Sequence, residues 1–310
     1  MSERDWSRAE GEAKRSSRHL RRVISVCELK DIGAWKAASS KIVEHIESEE
    51  YHLICPDAQI EDFTRVSHPG WKVIGESRFT GNCDPAEIRR RVRGENVSRV
   101  GWLLQQFIKI NAIADSDLQD ADPVLIWDAD TIPLTRLRFI DPASGVISYY
   151  HSHERHEPYF ETINSLFGSI DRFDRSFIAQ CLPVRVGWVR EMLGEIGGGA
   201  VDSYVTTILD LLPGKSGSEF SEYETIGTWV FLHRRDEVEF KQGNRWLRRG
   251  SSFVRGDLGG LWARMVIRLL SARYDFVAFE RWRKPLDAAS FLRAIGRRAS
   301  IFYTRLRSSF

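Results

Sequence analysis

VLIWDADTIPL, residues 124–134, sets four apolar residues directly before two aspartates, Asp128 and Asp130, with one alanine between them. An unbroken apolar run, rather than an alternating one, is what a strand covered on both faces requires. Carboxylates at the end of such a strand must be hydrated, paired or cation-bound. Upstream, RRVISV (21–26), YHLICP (51–56) and WKVIGES (71–77) read as strands. DIGAWKAASSKIVEHI, DPAEIRRRVRG and VSRVGWLLQQFIKINAI read as helices, the last with an apolar stripe at Val100, Leu103, Leu104, Phe107 and Ile110. Strands alternating with helices predict an α/β fold: a doubly wound, mostly parallel sheet flanked by helices. In such sheets ligands bind beyond the carboxyl ends of the strands, where Asp128 and Asp130 would stand.

Further along, GVISYY (145–150) and SFIAQCL (176–182) are strand candidates. EPYFETINSLF, VGWVREMLGEI, VDSYVTTILDLL and SEYETIGTWVFL are helix candidates, and PGKSGS (213–218) reads as a flexible loop.

With 310 residues, 42% hydrophobic and 28% charged, the chain can bury a sizeable core and is not of the disordered class. Residues 261–310 hold 11 Lys and Arg against 3 Asp and Glu, a charge of +8, so residues 1–260 carry −6 of the overall +2. The expected organisation is a polar tail over 1–20, a catalytic body over 21–255 and a basic, helical, amphipathic extension over 256–310. LWARMVIRLL (261–270) and FLRAIGRRASIFYTRLRSSF (291–310) suit packing on the body or on a second subunit, with peripheral contact at the inner membrane face as the alternative. No 18-residue apolar run exists, so no membrane span is expected. The N-terminal stretch lacks the apolar core of a secretory signal. Cys27, Cys55, Cys83 and Cys181 form no CxxC or zinc pattern, which suits free thiols in the cytoplasm. Nucleic-acid binding is not expected, since no basic patch adjoins the aspartates and no binding motif is present.

Asp-x-Asp by itself is a poor signal, and the chain supplies two controls. Asp115/Asp117 and Asp120/Asp122 lie in ADSDLQDADP, a polar segment expected to be a solvated loop. The third pair differs by ending a buried strand, where two carboxylates can hold a hard divalent cation. DAD after a strand, preceded by the glutamine- and lysine-bearing helix GWLLQQFIKI, resembles the GT-A-type glycosyltransferases that use nucleotide sugars. Together, GWLLQQFIKI, VLIWDADTIPL and EFSEYETIG are similar to an uncharacterised bacterial family of that fold, a domain of unknown function; the similarity spans roughly residues 21–235. It implies transfer of a sugar from a nucleotide-sugar donor to a glycan or other hydroxyl acceptor, in cell-envelope or capsule polysaccharide synthesis.

The residues suit that chemistry. Mn²⁺ or Mg²⁺ held by Asp130, with Asp128 on the metal or the ribose, would offset the charge of a leaving diphosphate. Lys109 is a second cation for that diphosphate and can share a helix side with Gln106. Glu28, after the first strand, is placed near the nucleotide base by analogy of fold. For removal of the acceptor proton the candidates are Glu222 and Glu224. Ser221-x-x-Glu224 also reads as a capping box, which favours Glu222. His151, His153 and His156 are assigned either to the acceptor side or to a solvated loop. Trp127 and Trp246 could stack on a sugar. Two rivals stand beside this reading. One is a phosphatase of haloacid-dehalogenase type with Asp128 as nucleophile, and the other is a sugar- or nucleotide-binding protein without turnover.

Overall fold

A computed structural model describes residues 18–170, 173–254, 258 and 260–280. The first half runs β1 (Leu20–Val26), α1 (Ile32–His45), β2 (Ser48–Cys55), α2 (Ile60–Val66), β3 (Trp71–Gly75), α3 (Pro85–Arg91), α4 (Val100–Ile113) and β4 (Pro123–Trp127). The second half runs β5 (Thr131–Pro133), β6 (Ile147–Tyr149), α5 (Glu157–Phe167), β7 (Cys181–Arg185), α6 (Val186–Ile196), α7 (Tyr204–Leu211), α8 (Glu222–His233), β8 (Val238–Phe240), β9 (Trp246–Leu247), α9 (Leu261–Ser271) and β10 (Phe276–Ala278).

The main sheet has the order β3-β2-β1-β4-β7, parallel from β3 to β4 and antiparallel at β7. Every residue of β4 is buried, which is why its sequence does not alternate. Val23 and Ile24 of the adjacent β1 and Leu53 and Ile54 of β2 beyond it share its core, which Trp35, Ala38 and Ile42 of α1 and Leu103, Phe107 and Ile110 of α4 complete. From β1 the chain adds β2 and β3 on one side, then crosses back to place β4 on the other. The carboxyl ends of β1 and β4 therefore part at a topological switch point. This is the mixed α/β, mostly parallel architecture expected from the strand–helix alternation.

Two expectations are corrected. SFIAQCL does not form the strand; CLPVR does, displaced along the chain, because β7 sits at the sheet edge, where Pro183 costs no essential donor. The control aspartates lie in the expected turn-rich loop, with Asp117 and Asp120 exposed, and arginines tie it to the body. Asp115 pairs with buried Arg22 at 3.3 Å and with Arg78 at 2.9 Å, and Asp120 pairs with Arg190 at 2.6 Å. PGKSGS is tied down rather than free, since the Glu219 carboxylate accepts from the backbone N–H groups of Gly214, Lys215 and Ser216 at 2.7, 2.5 and 3.0 Å.

Past residue 255 the chain returns to the body. β10 pairs antiparallel with β5 and parallel with β9, and the Phe279 N–H donates to the Asp130 carbonyl at 2.9 Å. The stretch FLRAIGRRASIFYTRLRSSF and the 1–17 part of the polar tail lie outside the described residues. The four cysteines are free and buried. No described helix is long and apolar enough to cross a membrane.

Candidate functional site

A cleft opens at the switch point. Val26 and Cys27 after β1 and Asp128–Asp130 after β4 line it, with Gln105, Gln106 and Lys109 from α4 and Ser221, Glu222 and Tyr223 from the start of α8. Asp31, Glu154, Gln180, Arg248 and Glu280 complete its polar lining.

The turn that carries the aspartates is fixed by backbone bonds. The Asp128 N–H donates to the Gln180 carbonyl and the Thr131 N–H to the Asp128 carbonyl, both at 3.0 Å. Trp127 is wholly buried beneath them and donates from Nε1 to the Thr131 carbonyl at 2.8 Å, so it is a core residue and not a sugar platform. Gln180 has φ of 63°, a left-handed backbone that costs a glutamine energy and that the paired strand end imposes.

Lys109 is the hub of the site. Its Nζ donates to Asp128 Oδ1 and to Glu222 Oε1, each at 2.7 Å. Tyr223 Oη donates to the same Asp128 Oδ1 at 2.6 Å, and the Lys109 ammonium lies 4.6 Å from the Tyr223 ring centre. Burial disfavours the Lys109 charge, but the two adjacent carboxylates outweigh it and raise its pKa. The α8 N-terminus helps to place Glu222. Ser221 caps the helix by accepting from the Glu224 N–H at 3.3 Å, the Glu222 N–H donates to Gln106 Oε1 at 3.1 Å, and the helix dipole favours an anion in its first turn. Gln106 Nε2 is buried in the cleft wall with no partner among the described residues.

Asp130 is the counterpart of this paired system. Its carboxyl is pushed up to about 7 by burial and then by the charges of Asp128, Glu280 and Asp31. Arg248 answers part of that field, donating to Glu280 Oε1 at 2.7 Å and pairing with Glu154. The cleft lining thus holds six carboxylates against two cations. Such a surface repels an anionic ligand unless a further cation joins it.

Of the residues singled out from sequence, Gln106, Lys109, Asp128, Asp130 and Glu222 meet in the cleft. Glu224 does not. It is buried on another side of α8, where its carboxylate accepts from Ser176 Oγ at 2.6 Å and the Phe177 N–H at 3.2 Å. Glu28 is half-exposed, paired with Lys30 and absent from the lining. His151 is buried and held through its backbone by Asn244 and Trp246, and His153 is exposed; neither lines the cleft. His156 packs on Tyr159, which does line it, and donates from Nε2 to the Ser218 carbonyl at 2.6 Å. Trp246 stacks on Phe276, away from the lining. Sequence reading missed Tyr223, Gln180, Arg248, Glu154 and Glu280. Tyr223 lay between Glu222 and Glu224, and Glu154 between His153 and His156, both in stretches already under suspicion.

A family model described as "Family of unknown function (DUF6492)" matches residues 31–240, a span that includes Lys109, Asp128, Asp130 and Glu222. Comparison with curated proteins finds no match. Among solved structures, the chain is similar to the apo form of mouse xyloside xylosyltransferase 1, with 10% identity and a TM-score of 0.47 over 86% of this chain and 99% of the other. It is also similar to an active-site mutant of LgtC, with 14% identity and a TM-score of 0.45 over 89% and 95%. A third is the galactosyltransferase LgtC in complex with donor and acceptor sugar analogues, with 12% identity and a TM-score of 0.41 over 83% and 86%.

Proposed function

We propose that this chain, which belongs to the family of unknown function DUF6492, is a metal-dependent glycosyltransferase moving a sugar from a nucleotide-sugar donor to a hydroxyl acceptor. One observation carries the reading. At the switch point, where α/β sheets bind nucleotides, the cleft pairs a buried lysine with an aspartate and leaves a second aspartate in a strongly negative field. A nucleoside diphosphate can enter a cleft of six carboxylates and two cations only together with a divalent cation.

The donor set suits Mg²⁺ or Mn²⁺. Among the described residues, the only side-chain hydrogen bond to the Asp130 carboxylate is a 3.4 Å contact from Thr131 Oγ1. Both bonds to Asp128 fall on Oδ1, which leaves Oδ2 as its oxygen for a cation. Among the described residues no three acidic, histidine or cysteine side chains make a closed metal cage. Phosphate oxygens and water would complete the shell, as is usual for Mg²⁺. When bound, the cation offsets charge on the leaving diphosphate.

The chain's own groups do the rest. An ammonium has three N–H donors, and Lys109 uses two on Asp128 and Glu222, so its third is available to a phosphate oxygen. Gln106 Nε2 supplies a further donor. Tyr223 and Lys109 fix the orientation of Asp128. Glu222 is the cleft carboxylate that takes the acceptor hydroxyl's proton while that oxygen bonds to the anomeric carbon and the bond to the diphosphate breaks. The phosphatase rival has little support, because Asp128 Oδ1, its nucleophile, is held by both a lysine and a tyrosine.

The test is release of nucleoside diphosphate from a panel of UDP- and GDP-sugars with Mn²⁺. Release by the wild type that is lost in Asp130→Asn and Glu222→Gln supports the reading. Release of inorganic phosphate from simple esters instead would support the rival.

A further inference from the structure

We propose that the outward face of α9 docks this protein on an anionic membrane surface. The helix turns apolar side chains in two directions. Ala263 and Val266 are buried, and half-buried Ile267 and Leu270 pack with them against the body. On the other side Leu261, Met265 and Leu269 are 86%, 48% and 68% exposed. Spaced four residues apart, they form one line along the helix. Isolated exposed leucines are ordinary on a soluble surface, but three large apolar side chains in line on a three-turn helix form a patch that calls for a partner.

The surroundings of that line are basic. Arg264 and Arg268 stand exposed beside it and enter no ion pair among the described residues. They also border a groove between α9 and α1, to which Lys36 and Lys41 contribute from the far side and Ile132 and Leu134 an apolar base. Of these four cations, Lys41 is paired, with Glu44 at 2.5 Å.

Charge decides the occupant. Residues 281–310 hold eight Lys and Arg and one Asp, so the chain's own C-terminal segment has the same sign as this face and does not complement it. A second copy packed about a two-fold axis would bring the same basic rim against itself. A layer of anionic lipid headgroups complements the helix and the C-terminal segment together. The leucines and methionine enter the interface while the arginines pair with phosphate, the arrangement of an interfacial amphipathic helix. The contact is peripheral, since no described helix can span a bilayer. It also adjoins the cleft, because Asp31 lines the cleft and Gly33, two residues on, lines the groove.

Flotation of the full chain with phosphatidylcholine vesicles, with and without phosphatidylglycerol, tests the proposal. The wild type is expected to float with the anionic vesicles, to stay behind with neutral ones, and to detach as salt rises. Arg264→Gln with Arg268→Gln is expected to weaken partitioning by about 30-fold, and Leu261→Gln with Leu269→Gln by about tenfold or more. All four positions are exposed, so both variants should keep the wild-type circular dichroism and melting profile. Binding that neither double variant changes would place the contact in residues 281–310 and overturn the role of α9. Absence of binding to anionic vesicles would overturn the proposal. So would a dimer in sedimentation velocity that Leu261→Gln with Leu269→Gln dissolves, because the face would then be a protein interface.

Discussion

Asp130→Asn should make the metal-free protein more stable while removing its function. The carboxyl rises from an ordinary 3.8 to about 7 because burial, Asp128, Glu280 and Asp31 all disfavour its charge. A group with a raised folded-state pKa contributes stability that is complete below its unfolded value. That stability is lost as pH rises through the folded value, here between about 4 and 7. A shift of about three units corresponds to about 4 kcal/mol as an upper limit. Asp130 is partly open to solvent, and screening reduces this to about 1–2 kcal/mol. Asparagine keeps the shape and never ionises. Its advantage should therefore be near zero at pH 4, grow to pH 7 and level off at about 1–2 kcal/mol by pH 8. Urea denaturation followed by tryptophan fluorescence, in chelator at pH 4.5, 6, 7 and 8, measures it. A variant less stable than wild type at pH 8, or a gain that does not change with pH, would refute the electrostatic argument.

The same cleft yields further expectations. Lys109→Met removes the cation shared by Asp128 and Glu222 and should destabilise the fold by about 3–5 kcal/mol near neutral pH. Adding Glu222→Gln should recover part of that loss, and strictly additive effects would argue against the pairing. Glu222→Gln should lower transfer by about 10²–10⁴-fold with the fold intact. Glu224→Gln should do the opposite, costing about 1–3 kcal/mol of stability through Ser176 and Phe177 while leaving donor binding unchanged. Parallel denaturation and turnover measurements separate the two glutamates.

Much of the architecture was legible because the parallel core strands are nearly continuous apolar runs and the helices keep a 3.6-residue period. β7 was displaced because Pro183 argues against a strand in sequence and is harmless only at an edge, which sequence does not reveal. β10 is three residues long and pairs with β5 across more than 140 positions, so no local pattern announces it. With β10 comes Glu280, whose surroundings in sequence are basic and suggested a separate extension. In the site, helix register placed Lys109 and Gln106 on one side of α4, and the capping pattern separated Glu222 from Glu224. Tyr223 could not be read in the same way, since an aromatic between two glutamates looks like a core residue until its hydroxyl is seen on Asp128. The spacing of the histidines left two placements open, the acceptor side or a loop, and His153 is exposed in a loop. His151 is held by Asn244 and Trp246, residues far along the chain, and this keeps it out of the cleft lining.

Calorimetric titration of UDP and GDP, with and without Mn²⁺, into wild type and Asp130→Ala tests the central claim most directly. A cleft of six carboxylates and two cations should bind one of these nucleotides only when Mn²⁺ is present, and Asp130→Ala should abolish that binding. Binding of equal strength without the metal, or binding that survives in the variant, would contradict a metal-dependent donor site at Asp128–Asp130.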